Sequence, residues 1–203
     1  KAVAKLLNIN YDTLKSMNRK RCIGRPTLSL FKSMADLANL NQQVTARKIS
    51  KIAYVDNNFN NPVPIDLPSV CEELMYILGL LNSDGYLSKS QIVFVNKDET
   101  LHQSFKRNVN SLFGLEAKRY SPFSSVVSNK TLYVVLKNLE LKLPELPTHL
   151  ITSWLKGYVD GDGYPRIRNG KVTEINIATA KIEEAKLVQS FLLRLGIIST
   201  IVV

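Results

Sequence analysis

The chain has 203 residues, a formal net charge of +10 and an apolar share of 45%. That length suits one large domain, or one domain with a small module, and that apolar share is ordinary for a globular core. No apolar run approaches the roughly 20 residues that a helical bilayer span needs, so no membrane partner is expected, and a cytoplasmic setting is.

The charge is uneven. Residues 1–61 hold 11 Lys/Arg against 3 Asp/Glu, and the other 142 residues hold 16 against 14. A positive balance concentrated in one third of a chain points to a nucleic-acid-binding module there; a generally basic surface is the alternative. The chain opens on Lys1 without a signal-peptide pattern, as an excised fragment would. Cys22 and Cys71 lack metal-ligand spacing and read as small buried hydrophobes of a reducing compartment.

In chain order, residues 2–8 and 13–21 read as two short helices, with Asp12 or Thr13 as the cap between them. The pair resembles a helix–turn–helix, whose second helix enters the major groove and would here carry Lys15, Arg19, Lys20 and Arg21. Residues 24–27 form a turn whose Arg25 reaches a minor groove or a phosphate. Residues 28–40 place Leu30, Met34, Leu37 and Leu40 on one helical face. Another short basic helix is expected at 44–52. A helical bundle with a solvated basic face would give the same local pattern. The Asn- and Pro-rich stretch 57–68 reads as a linker. The expected division is therefore a basic helical module over 1–61, a linker over 62–68 and a main domain over 69–203.

The main domain opens on a helix capped by Ser69 and Glu72 and running to about Asp84. Short strands follow over 86–95. Asn96-Lys97-Asp98-Glu99 is a capping signal for a helix with Leu101, Phe105, Val109 and Leu112 on one side, ended by Gly114. Leu115–Tyr120 and Thr131–Lys137 read as strands joined by a Ser/Asn-rich loop. A second long helix ends at Asp162. Tyr164–Arg168 and Val172–Ala178 read as strands around Asn169-Gly170, a strong hairpin signal. A helix over 180–195 and a strand over 197–203 complete the pattern.

Two stretches stand out. Tyr76-Ile-Leu-Gly-Leu-Leu-Asn-Ser-Asp-Gly-Tyr86 is echoed 78 residues later by Trp154-Leu-Lys-Gly-Tyr-Val-Asp-Gly-Asp-Gly-Tyr164. Gly79 and Ser83 are four apart, as are Gly157 and Gly161, so each helix carries two small residues on one face. Such faces let two helices approach closely. If the helices run parallel, Asp84 and Asp162 meet at one end of the seam. A helix C-terminus carries roughly half a negative charge, so two carboxylates there form a concentrated negative site that a divalent cation would neutralise. Two copies of the pattern, each opening a similar unit, argue for duplication beyond a pair of helix-ending turns.

These paired motifs resemble those of the LAGLIDADG homing endonucleases, in their single-chain, two-repeat form. Asn82 stands where the motif has its first Asp, and Lys156 where it has Ala. The resemblance implies an α+β fold of two pseudo-twofold αββαββ units with antiparallel, saddle-shaped sheets. The units would cover 69–147 and 148–203, the second lacking its last strand, behind an all-helical module. It implies a monomeric, site-specific endonuclease that binds double-stranded DNA over a long asymmetric site and depends on Mg²⁺ or Mn²⁺. Asp84 and Asp162 would be metal ligands and catalytic, with the backbone carbonyls of Ser83 and Gly161 as supplementary ligands. Lys137 would be the basic residue of one site; a plain surface Lys is the alternative. Lys89 and Gln91 in the first unit, and Arg166, Arg168 and Lys171 in the second, would face DNA, reading bases or holding phosphates. His102 and His149 read as surface or capping residues, and Trp154 as core. The module, linker and nuclease order is common in inteins, although neither end shows a splice-junction nucleophile. The alternative is a DNA-binding protein of the same fold that does not cut.

Overall fold

A computed structural model describes residues 2–17, 27–41, 49–54, 63–139 and 141–202. The chain separates into two compact units, Lys1–Ser50 and Lys51–Val203. Among the described residues no helix is long and apolar enough to cross a membrane.

The first unit holds three short helices, α1 (Ala2–Leu6), α2 (Tyr11–Met17) and α3 (Leu28–Leu37). Asn10 starts α2, its side chain accepting from the Asp12 N–H at 2.8 Å, a little earlier than the Asp12/Thr13 cap expected. Thr27 caps α3 by accepting from Leu30 N–H. The inward side of α3 is centred on buried Ala35; of the expected apolar stripe Leu30 is half-buried, while Met34, Leu37 and Leu40 are exposed. Lys15 lies exposed in the last turn of α2. Arg19, Lys20, Arg21 and Arg25 lie outside the described residues, as do Cys22 and most of the helix expected over 44–52.

The second unit begins with two short strands. β1 (Lys51–Ile52) pairs antiparallel with β2 (Ile65–Asp66), so the stretches read as helix end and linker carry paired backbone, and Ile65 is fully buried. Then come α4 (Glu72–Asp84), β3 (Gly85–Ser88), β4 (Gln91–Val95), α5 (Glu99–Phe113), β5 (Lys118–Ser121), β6 (Ser124–Ser128) and α6 (Lys130–Lys137). A 3₁₀ turn at Leu143–Glu145 leads to α7 (Thr148–Asp162), β7 (Gly163–Arg168), β8 (Lys171–Ile177) and α8 (Ile182–Arg194). The fold is α+β with antiparallel sheets: four strands in the order β3-β4-β6-β5, and the hairpin β7-β8. The helix–hairpin–helix order α4-β3-β4-α5 recurs as α7-β7-β8-α8.

Three expectations fail here. Thr131–Lys137 is the helix α6, not a strand: Asn129 caps it by accepting from Leu132 N–H, and Leu132, Val135 and Leu136 pack on the core, so tertiary contacts override a β-branched run. The Ser-rich stretch read as loop supplies β6, whose Ser125 and Val127 are buried against β4. Among the described residues no strand follows α8. In addition, the N-cap residue of α4 is Cys71, which makes no side-chain capping bond, and not Ser69. Cys71 is only partly buried.

The core gathers on α4, where Leu74, Met75, Ile77, Leu78 and Leu80 are all buried, a helix apolar on nearly every side because it is covered on nearly every side. α7 contributes Leu150, Ile151, Trp154, Leu155 and Tyr158. Trp154 is indeed core: it stacks on Tyr158 at 5.0 Å and meets Phe191 of α8 edge-on at 5.7 Å. Phe94 stacks on Phe105 at 5.1 Å, fastening β4 to α5. Asp98 caps α5 and Gly114 ends it at φ 64°, as the sequence signals indicated.

Both hairpins turn tightly. Asn169-Gly170 has φ 50° and 72°, the left-handed pair of a type I′ turn. The first hairpin uses Lys89 and Ser90 at φ 43° and 75°, a conformation costing a side chain about 1 kcal/mol. Ser90→Gly is therefore expected to stabilise unit 51–203 by up to about 1 kcal/mol, read as a higher urea midpoint. A lower midpoint would mean that the turn is not strained.

Candidate active site

α4 and α7 run side by side in the same direction with almost no space between their backbones. A methyl group added at Gly79 would lie 2.8 Å from the Tyr158 backbone nitrogen and closer still to the Trp154 carbonyl oxygen. One added at Gly157 would lie 2.9 Å from the Leu80 nitrogen and closer still to the Tyr76 carbonyl oxygen. The two positions therefore match reciprocally across the seam. Further along, Gly161 faces Ser83 and Asp84: its added methyl would lie 2.9 Å from Asp84 Oδ2. Tyr76 Oη also bridges the seam, donating to Asp160 Oδ2 at 2.9 Å.

This register brings Asp84 and Asp162 to the same end. The Asp84 carboxylate lies over the last turn of α7, one residue from Asp162, and both residues are half-buried. Burial, then the charge of Asp84, then that of Glu184, pushes the Asp162 carboxyl up from its ordinary 3.8. Neither Asp has a salt-bridge partner among the described residues. Ser83 and Gly161 sit in the final helical turns, where carbonyls lack intrahelical partners.

The donor set fits a divalent cation of the hard, oxygen-seeking kind: two carboxylates, unsatisfied carbonyls, and two helix C-termini adding negative potential. It is not a closed protein cage, because no cluster of three or more His, Cys, Asp or Glu suited to a metal occurs among the described residues. Ligands from outside the protein, such as phosphate oxygens or water, would have to complete the shell.

Some functional neighbours were not legible in the sequence. Asn96 Nδ2 donates to Asp84 Oδ2 at 2.6 Å. Its only sequence signal was membership of a capping pattern. Glu184 of α8 accepts from Thr179 Oγ1 at 2.9 Å, pairs with Lys181 at 2.8 Å and lies 3.5 Å from Tyr158 Oη. Lys181, first, and Thr179 hold its carboxyl below the ordinary value against the opposing effect of burial. A Glu in the first turn of a helix gives no sign in sequence that its charge will act on Asp162.

Lys137 is exposed at the end of α6, its Nζ 5.7 Å from the Tyr133 ring centre, and pairs with neither Asp84 nor Asp162. His102 is fully buried rather than on the surface. His149 is exposed in the first turn of α7. Each hairpin departs directly from its Asp, β3 at Gly85 and β7 at Gly163, so the basic residues on them leave the same end of the seam. Lys89 is exposed in the first turn, and Gln91 bonds Ser128 across to β6 at 3.1 Å. Arg166, Arg168 and Lys171 are all exposed; Arg168 lies directly across from Lys171, and Arg166 pairs with Glu174 at 2.6 Å.

Residues 72–141 and 149–203 match the LAGLIDADG-like domain family, and the chain belongs to it. Among solved structures, the fold resembles the homing endonuclease I-DmoI in complex with DNA and Mn, at TM-score 0.51 and 19% identity, over 66% of this chain and 83% of that one. It equally resembles the N-terminal LAGLIDADG domain of WhiA, at TM-score 0.52 and 16% identity, over 68% of this chain and 72% of that one. At such identities these likenesses concern the fold. In sequence, the chain is 31% identical over 158 residues to the B subunit of the A-type ATP synthase of Methanopyrus kandleri, covering 74% of this chain. It spans only 16% of that relative's length.

Proposed function

We propose that the chain is a site-specific, metal-dependent DNA endonuclease. The observation that carries this reading is the Asp84 carboxylate lying over Gly161, beside Asp162, at the common end of two tightly apposed helices. Two acidic groups left without a cation where two helix dipoles terminate are costly to a fold, and a bound divalent metal and a phosphodiester would relieve that cost. Asp84 and Asp162 would each hold metal, helped by the Ser83 and Gly161 carbonyls. When bound, Mg²⁺ or Mn²⁺ supplies Lewis-acid stabilisation of the charge developing on the phosphate oxygens and acidifies a water. The protein's own part is to fix the carboxylates through the α4–α7 seam. The hairpins would position duplex DNA: Arg166, Arg168 and Lys171 on one side, Lys89 and Gln91 on the other, with base edges and phosphates both within their chemistry. Lys137 would serve the first site only by leaving Tyr133.

The match inside an ATP synthase polypeptide, of which this chain spans a small part, favours an inserted element carried within a host protein, as an intein-borne endonuclease is. Residues 1–50 would extend the DNA footprint through a helix–turn–helix-like surface. Exchanging Lys15, Arg19, Lys20 and Arg21 together for Gln is expected to lower the slope of log affinity against log salt by about 0.9 for each phosphate no longer neutralised. An unchanged slope would mean that this module does not touch phosphates.

The deciding experiment offers the full chain a pool of randomised duplexes with Mg²⁺ or Mn²⁺, recovering and sequencing cleaved ends, with EDTA as control. Metal-dependent ends converging on one long site support the endonuclease. Duplexes that are retained but never cut support the alternative, a DNA-binding protein of this fold without nuclease activity.

A further inference from the structure

His102 is fully buried, yet both of its ring nitrogens have partners. Nε2 lies 2.9 Å from the backbone carbonyl oxygen of Asn96, and Nδ1 lies 2.8 Å from Ser125 Oγ. A carbonyl only accepts, so Nε2 must carry the proton and donate it; in the neutral ring, Nδ1 then accepts from the Ser125 hydroxyl. Ser125 itself is fully buried on β6, in register with Phe94 of β4. The ring of Phe94 meets the imidazole edge-on at 5.1 Å.

Asn96 is pinned at four points. Its backbone N–H donates to Phe123 O at 2.9 Å, and its carbonyl accepts from His102. Its Oδ1 accepts from Asp98 N–H at 2.7 Å, and its Nδ2 donates to Asp84 Oδ2 at 2.6 Å. Because a backbone N–H can only donate, the side-chain amide cannot flip: oxygen faces Asp98, and NH₂ faces Asp84. One oxygen of Asp84 is thereby occupied by a fixed neutral donor, and Oδ1 is the oxygen left for a ligand.

The second repeat is built differently. Gly85 pairs with Phe94, and Gly163 pairs with Ile177, so the position two residues further on is Asn96 in one repeat and Thr179 in the other. Thr179 gives its hydroxyl to Glu184 instead. The same offset puts Ala185 where the first repeat has His102.

We propose that Ser125, His102 and Asn96 form a buried positioning relay that sets which oxygen of Asp84 is presented, and that only the first repeat possesses it. His102 is a positioning residue, acting through Asn96. The relay makes the two halves of the site unequal: Asn96 gives a rigid neutral donor to Asp84, whereas its counterpart Thr179 turns its hydroxyl to Glu184. The inference rests on the reading of Asp84 as a metal ligand, but its geometry can be tested without cleavage.

The test is ¹H–¹⁵N NMR of the metal-free full chain. In the parent, His102 is expected as the tautomer protonated at Nε2, and the Asn96 side-chain amide as a widely split, slowly exchanging pair. His102→Ala is expected to collapse that pair toward a free carboxamide. His102→Gln, whose amide can donate to the same carbonyl, is expected to restore it. A merely structural role would lower unfolding midpoints without distinguishing Gln from Ala in this signal. Should His102→Ala not fold, Ser125→Ala is read in its place, with partial collapse expected. An Asn96 pair unmoved by these substitutions, or a His102 protonated only at Nδ1, overturns the relay. A relay that behaves as described in a protein that cuts no duplex rejects the endonuclease alone. A nuclease whose Asn96 signal ignores His102 rejects the relay alone.

Discussion

Gly79→Val is expected to destabilise unit 51–203 by about 3 kcal/mol or more, and Gly157→Val by a similar amount. The added atoms at these positions meet backbone carbonyl and nitrogen atoms of the facing helix, which cannot rotate aside as a side chain can. Relief requires α4 and α7 to separate, and these helices carry much of the core, including Leu78, Leu80, Trp154 and Tyr158. Even Ala should be harmful, although Ala in place of Gly within a helix normally gains about 1 kcal/mol from propensity. Gly161→Ala offers the contrast. Its added methyl meets the Ser83 hydroxyl and an Asp84 oxygen, which can rotate aside, and the Ser83 Cβ at 2.8 Å, none of them a backbone atom of the facing helix. Its cost in stability should be smaller, while the Asp84 carboxylate is displaced. Urea unfolding of the three variants checks the order. If Gly79→Val unfolds within about 1 kcal/mol of the parent, the helices are not in backbone contact and the placement of the two Asp residues loses its support.

That seam is also where the sequence was most informative. Two small residues four apart, followed by Asp and Gly, are a local pattern with a steric meaning, and the pattern occurs twice. The helix end at Gly114 and the turn at Asn169-Gly170 were equally legible, because each depends on a backbone conformation that few residues adopt. What was hidden depended on long-range pairing. Thr131–Lys137 has the composition of a strand, and only the core contacts of Leu132, Val135 and Leu136 make it a helix. Ser124–Ser128 has the composition of a loop, and only its neighbouring strands make it a strand. His102 read as a surface or capping residue because its polar partners, Ser125 and the Asn96 carbonyl, come from two different parts of the fold. The Asn96–Asp84 bond spans only 12 residues but requires the hairpin to fold back to the helix end. Sequence therefore disclosed the two carboxylates and the scaffold that joins them, but not the neutral donor on one and the acidic neighbour on the other.

Asp162→Asn should separate activity from stability, moving them in opposite directions. On the proposed role of Asp162 as a metal ligand, its removal takes away several kcal/mol of charge stabilisation, so cleavage of at least one strand of a selected duplex is expected to fall about a thousandfold or more, with DNA affinity within a few fold. Stability should rise at neutral pH. Burial, Asp84 and Glu184 all raise the Asp162 carboxyl above 3.8 in the folded protein. The folded state then holds that proton more tightly than the unfolded chain does. Stability is greatest below the unfolded value and declines as pH climbs through the interval up to the raised folded value, remaining lower above it. Asn carries no charge and escapes that decline. The urea midpoint of Asp162→Asn is thus expected above the parent's at neutral pH, with the gap closing as both are taken below 3.8. Mn²⁺ should raise the parent's midpoint more than the variant's, since it binds best where the carboxylate remains. Full double-strand cutting by the variant would remove Asp162 from the chemistry. A lower midpoint at neutral pH would mean that its charge is not crowded by Asp84 and Glu184, and the paired-carboxylate site would have to be redrawn.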